Sequence, residues 1–189
     1  RTGTRMDKLF LCDLTTMETT TLHMFSNTSY GQSLPSLMDG VLVWADAERS
    51  GSTDEEDVSV IYSVRLGSAS IQSIHTETYA HDPISNGQYT AWLDAHHSPQ
   101  AKLYCMAQGA SEPAPVAEGV VQFGMGNKFI AYSKDETIYL YRFDNKKTYK
   151  LSGEYEKAQF MGVSDGKVIW MDVTSRERDI LKYSEVPDR

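Results

Sequence analysis

The chain predicts an all-β fold assembled from repeated antiparallel units, and three observations carry that prediction. Its three tryptophans, Trp44, Trp92 and Trp170, hold the same position in one recurring strand pattern, and Tyr132 holds it in a fourth copy. Each copy opens on a turn dipeptide rich in Gly, Asp or Asn. No stretch carries apolar residues at helical period behind a helix cap.

The four copies are residues 36–46, 85–94, 124–135 and 162–172, with aromatic-to-aromatic spacings of 48, 40 and 38 residues. A period near forty residues holds one small sheet per repeat and belongs to propellers or solenoids. The opening dipeptides are Asp39-Gly40, Asn86-Gly87, Gly126-Asn127 and Asp165-Gly166. Positive φ is cheap at such pairs, so each predicts a hairpin. The runs that follow, such as Val41-Leu42-Val43-Trp44 and Lys167-Val168-Ile169-Trp170, suit strands covered on both faces. In three copies a carboxylate stands two residues past the aromatic: Asp46, Asp94 and Asp172.

A second strand type recurs five times, at 9–14, 60–64, 102–106, 138–143 and 180–186. Alternation is plainest in Ile138-Tyr139-Leu140-Tyr141. A third, shorter strand is expected at 20–25, 70–74 and 147–151, and a further short strand ahead of each turn dipeptide. This gives four strands per unit and one domain over 1–189, with units at 8–33 (partial), 34–78, 79–119, 120–155 and 156–189 (partial). Residues 47–57, 109–118 and 175–179 read as loops.

Composition narrows the function. A formal charge of −8 opposes a nucleic-acid surface, which needs clustered Lys and Arg. No apolar run reaches the roughly 18 residues of a membrane span. Cys12 and Cys105, without Cys-x-x-Cys spacing, predict no zinc or redox centre. Both are read as packing residues at one register, shared with Tyr62, Tyr141 and Tyr183.

Two stretches carry a family resemblance: 163–172 with 179–183, and 127–133 with 137–144. They fit a loose pattern of Ser-x-Asp-Gly-x-x-Ile-x-Trp, an Asp-rich turn, then Ile-Tyr-x-Tyr-Asp. On that pattern the chain resembles β-propellers of the TolB-like or six-bladed group. The resemblance implies a β-propeller-like array of about four to five four-stranded blades around a central channel. It also implies an extracytoplasmic location, periplasmic, cell-surface or secreted. Four strands of the Trp type stand against five of the Tyr type. The array is therefore expected to be a piece of a longer ring, a compact ring of four or five blades, or an open array completed by another chain.

Candidate functional residues are weighed against structural roles. An aromatic row repeated in mid-strand is expected to pack between blades, not to form a sugar-stacking rim. Asp46, Asp94 and Asp172, repeated likewise, are expected to accept backbone N–H groups in the turns that follow, not to act as paired glycosidase carboxylates. His96 and His97 read as exposed loop residues, and His23 and His75 suggest nothing specific. Asp54-Glu55-Glu56-Asp57 lacks calcium-loop spacing. Asn27-Thr28-Ser29 is a glycosylation sequon in a secretory setting. Nucleophile-elbow, phosphate-loop and dinucleotide motifs are absent from the sequence.

The expectation is a non-enzymatic module, with no catalytic, cofactor-binding or metal residue nominated and no cofactor. It would bind a protein or cell-surface saccharide ligand through its loop face or central channel. The first alternative is a five-bladed glycosidase-type enzyme with carboxylates on the innermost strands, where only His81-Asp82 supplies one. The second is an architectural or sensor ectodomain.

Overall fold

The structure is a computed structural model and describes residues 7–25, 33–48, 58–68, 70–77, 79–94, 101–164 and 166–187. Among them lie seventeen strands in five antiparallel sheets. The first sheet holds β1 (Lys8–Cys12) and β2 (Thr19–Met24). The second holds β3 (Ser36–Met38), β4 (Val41–Glu48), β5 (Val58–Arg65) and β6 (Gln72–Glu77). The third holds β7 (Ala80–Ser85), β8 (Tyr89–Asp94), β9 (Lys102–Ala107) and β10 (Ala114–Glu118). The fourth holds β11 (Gln122–Met125), β12 (Phe129–Lys134), β13 (Thr137–Arg142) and β14 (Thr148–Lys150). The fifth holds β15 (Ala158–Ser164), β16 (Lys167–Asp172) and β17 (Ile180–Glu185). Within every sheet the strands neighbour one another in chain order.

Turn chemistry explains the up-and-down order. Asp39 and Gly40 both have positive φ, 49° and 72°, which closes the β3–β4 hairpin in the mirror-image turn that matches strand twist. Gly126-Asn127 departs from expectation. Neither residue takes positive φ; Gly126 N–H donates instead to the Phe129 carbonyl in a wider turn. Gly166 has φ of 71°, and Asp165 lies outside the described residues.

The β12–β13 hairpin puts Asp135 and Glu136 at φ of 48° and 55° without a glycine. A glutamate there crowds its own Cβ, at a cost of about 1 kcal/mol. Glu136→Gly is therefore expected to raise stability by about 0.5–1 kcal/mol in urea unfolding. The Glu136–Lys157 ion pair it removes has both side chains more than half exposed and contributes almost nothing. A lower midpoint would contradict this reading of the turn.

One segment read as a loop is a strand. Residues 109–118 contain β10, the outer edge of the third sheet, and Pro115 sits in it. A proline strand reads as loop in sequence because its ladder N–H is missing. At an edge, only one partner strand has to be satisfied.

The core explains the aromatic row. Trp44 packs back on Leu9, Leu22 and Phe25 of the first sheet, and Trp92 on Ala45 and Ile61 of the second. Tyr132 packs back on Leu93 and Leu103 of the third, and Trp170 on Ala131 and Ile138 of the fourth. Side chains alternate across a strand, so the neighbours of each aromatic face the opposite way, toward the following sheet. All four aromatics are buried. The second to fifth sheets thus each turn one member of the aromatic row back onto the sheet before.

The cross-strand register corrects the second sequence register. Opposite the four aromatics stand Tyr62, Tyr104, Tyr139 and Lys182. Trp44–Tyr62 and Tyr132–Tyr139 stack with centroids 5.5 Å apart in both pairs. Cys105 pairs with Ala91, Tyr141 with Ile130 and Tyr183 with Ile169, so these residues do not share the Tyr62 position. A one-residue slip of alignment exchanges the two faces, and sequence spacing alone does not detect it. Cys105 does pack, buried facing the fourth sheet, and burial pushes its thiol up to about 12. Cys12 is exposed instead.

Candidate functional site: the inner-strand cleft

The first strand of each complete sheet lies beside the first strand of the next. β3 contacts β7, β7 contacts β11, and β11 contacts β15. These strands border a cleft of about 590 Å³ whose walls come from residues 34–36, 82–84, 121–124 and 160–162. Leu34, Val121 and Met161 expose their side chains to it, and Ile84 and Phe123 are half-buried beside them. Its one carboxylate among the described residues is Asp82.

Two β-bulges aim this surface. Pairing of β7 with β8 shifts between His81 and Ile84, where Asp82 takes φ of 49° ahead of Pro83. Pairing of β15 with β16 shifts between Phe160 and Gly162, leaving Met161 unpaired and turned outward. Bulges re-aim side chains where a regular ladder would hide them. Asp82 N–H donates to Ser33 Oγ at 2.9 Å, and its carboxylate meets His81 Nδ1 at 2.9 Å. The Tyr79 ring stacks on His81, and its hydroxyl is shifted upward by burial first and by Asp82 second.

The turns at one end of the cleft are tied together. The buried Asn86 side chain accepts from the N–H groups of Gln88 and Tyr89 through Oδ1. Its Nδ2 donates to the carbonyls of Gly126 and Asn127 at 3.0 and 3.2 Å. One amide therefore links the third sheet to the fourth. Gly87 lies so close to Asp39 that an added Cβ would come within 2.7 Å of the Asp39 Cβ, which ties the turns of the second and third sheets by packing. Asn86→Asp keeps the acceptor but aims a carboxylate oxygen at two carbonyls. A loss of about 2–3 kcal/mol in urea unfolding is expected, larger than for Asn86→Ala. Equal losses would show that the bonds to Gly126 and Asn127 contribute little.

Sheet-to-sheet polar pairs are what sequence reasoning missed. His23 on β2 meets Asp46 of the next sheet at 2.6 Å, with Asp46 only 1% exposed. His75 on β6 stands 4.0 Å from Asp94 of the following sheet. Each imidazole also lies against that sheet's tryptophan: His23–Trp44 at 5.5 Å and His75–Trp92 at 4.6 Å between centroids. The last-strand histidine of one sheet thus reaches the Trp-plus-two aspartate of the next. A histidine on the third short strand, one repeat before Asp46 and again before Asp94, was the available signal.

Asp172 accepts from the turn that follows it, taking Thr174 N–H at 3.0 Å, whereas the turns after Asp46 and Asp94 lie outside the described residues. It also meets Lys182 Nζ at 2.8 Å, and Lys182 reaches Glu156 at 2.7 Å. The Lys182 bond first, then the two bonds from Thr174, hold the Asp172 carboxyl at about 2. Lys182 likewise shifts Glu156 below its ordinary range, and the two carboxylates shift Lys182 above its own. Depressed carboxyls stabilise the fold above their unfolded pKa, and that contribution is lost as pH falls through the folded one. Lysine's contribution is present below its unfolded pKa and is lost as pH rises through the raised value. The melting-temperature advantage of wild type over Lys182→Met should therefore be flat near neutrality and shrink from pH 4 toward pH 2. An advantage that grows on acidification would contradict the assignment.

His96, His97, residues 54–57 and the Asn27-Thr28-Ser29 sequon lie outside the described residues. Among the described residues no group of three or more His, Cys, Asp or Glu is placed to hold a metal ion. No helix among them is long and apolar enough to cross a membrane.

No family model and no curated protein sequence matches the chain. Solved structures do. A prolyl endopeptidase matches with a TM-score of 0.70 at 10% identity, over 95% of this chain and 30% of its own. The β-propeller domain of the Trilobed protease from Pyrococcus furiosus gives 0.55 at 8%, over 79% and 52%. TolB from Acinetobacter baumannii gives 0.55 at 13%, over 94% and 46%. The chain thus spans about a third to a half of the proteins it resembles. The fold is a partial β-propeller of the TolB-like kind.

These likenesses correct the non-enzymatic expectation. Further matches are also peptidases: a dipeptidyl peptidase, an acylaminoacyl peptidase and the tricorn protease. The expectation rested on missing nucleophile motifs. Those motifs were sought in a stretch equivalent to a fraction of each peptidase chain, and so their absence does not speak for the protein's activity.

Proposed function

We propose that the chain is the propeller portion of a peptidase-type protein and that its inner-strand cleft receives extended polypeptide. The cleft's chemistry carries the reading: Leu34, Val121 and Met161 are exposed around Asp82, its one carboxylate among the described residues. Apolar side chains of a peptide bury on such a surface at about 25 cal/mol per Å². A neutral saccharide would instead need a dense set of donors and acceptors. Asp82 favours a peptide with a basic group beside its apolar residues. The resemblance to peptidases supports polypeptide as the ligand class, and the resemblance to TolB supports an extracytoplasmic site of action.

Fluorescence anisotropy with a labelled peptide of Leu, Phe and Lys, against a neutral maltooligosaccharide competitor, tests the proposal. Saturable peptide binding is expected, weakened at least tenfold by Val121→Asp and by Met161→Asp and unaffected by the saccharide. Displacement by the saccharide, or binding indifferent to both substitutions, would overturn it.

A further inference from the structure

The fifth sheet carries a forward face with the composition of a covered one. In the second, third and fourth sheets, the third-strand residue opposite the position after the aromatic is Ile61, Leu103 or Ile138. Each is 0% exposed because the following sheet packs on it. The equivalent residue of the fifth sheet is Leu181, opposite Met171, and it is 64% exposed. Two residues along, Cys105 and Leu140 are 6% and 5% exposed, whereas Tyr183 is 63% exposed. Lys182 and Asp172 stand at strand positions that alternate with these, and Glu156 precedes β15; the forward face itself carries the Lys167–Glu185 pair at one end, with Lys167 Nζ 5.8 Å from the Tyr183 ring centroid.

We propose that in the native protein this face is covered by a further four-stranded antiparallel blade, whose second strand lays an aromatic side chain on Leu181 and Tyr183. The inference rests on the fold and is independent of the polypeptide reading. Continuity chooses the occupant. At all four sheet-to-sheet interfaces, the partner of the forward face is a Trp-type strand of the next sheet. A second copy docking through its first sheet does not supply one, since β1 and β2 are the Tyr-type strand and the strand after it. The same blade would extend the interface beside β17, which has no fourth strand next to it among the described residues.

Hydroxyl-radical footprinting of the unmodified full-length native protein tests this without a substitution. Tyr155, 86% exposed, serves as the internal reference for Tyr183, and Leu14, 83% exposed, for Leu181, because tyrosine oxidises intrinsically faster than leucine. Oxidation of Tyr183 at least tenfold slower than that of Tyr155, and of Leu181 at least tenfold slower than that of Leu14, at every protein concentration, is the expected result. A maleimide-labelling series on Leu181→Cys in a Cys12→Ser background gives a second readout, with the same tenfold protection expected. Rates matching those of the reference residues would show an open face and overturn the proposal. Protection that disappears on dilution would assign the face to a second copy and overturn it equally.

Discussion

Trp92→Ala is expected to cost about 4 kcal/mol in urea unfolding, because it empties the interface between the second and third sheets. Trp92 is fully buried; it packs with Ala45, Ile61 and Ala80 and meets the rings of both His75 and Tyr104, which also meet each other. Sheets that touch only their neighbours share stability through such interfaces. The loss should therefore also reduce cooperativity, with the first two sheets melting apart from the rest and a smaller urea slope. Tyr149→Ala on the edge strand β14 removes an exposed ring and should stay within about 0.5 kcal/mol. A Trp92→Ala loss below about 1 kcal/mol would mean that the sheets are not held together at this register.

Asp46→Ala is expected to cost about 3 kcal/mol, more than Asp94→Ala. Asp46 is almost wholly buried and meets His23 at 2.6 Å, whereas the Asp94–His75 separation is 4.0 Å. Removing the buried carboxylate leaves His23 facing a void between two sheets, with Trp44 and Tyr62 on its ring. His23→Gln, which keeps a donor of similar reach, should recover part of the loss seen with His23→Ala. The check is a pair of double-mutant cycles. Coupling in the His23–Asp46 cycle should exceed that in the His75–Asp94 cycle by about 1 kcal/mol or more. Equal and negligible coupling would reduce both histidines to filler against tryptophan.

Much of this fold was legible because the repeat encodes each strand several times. The Trp-type strand, the turn dipeptides and the Tyr-type strand are local patterns, and β4, β8, β12 and β16 fall where those patterns lie. What stayed hidden is what depends on facing. The Tyr62 and Cys105 positions differ by one residue in register, which turns one to the preceding sheet and the other to the following sheet. The His23–Asp46 pair joins residues in two sheets, and no single repeat contains both partners. The cleft was legible only as sparse carboxylates on the inner strands. Exposure of Met161 and the positive φ of Asp82 come from bulges, and an extra residue in a strand leaves no reliable mark in hydrophobic alternation.

The turns behave in the same way. Asn86-Gly87 signals a hairpin from its own chemistry, yet the Asn86 amide spends two of its four hydrogen bonds on the next sheet. A residue chosen for a local turn thus also fixes the angle between neighbouring units. That coupling of local and global preference is what lets consecutive sheets repeat one geometry.

Photo-crosslinking tests the central claim, that this partial propeller receives polypeptide on its inner strands, most directly. A Leu-, Phe- and Lys-containing peptide carrying a benzophenone is irradiated with the protein, and the adducts are located by mass spectrometry. Adducts at Leu34, Val121, Phe123 or Met161, suppressed by unlabelled peptide, are the predicted result. Adducts confined to the outer strands β6, β10 and β14 would contradict the claim.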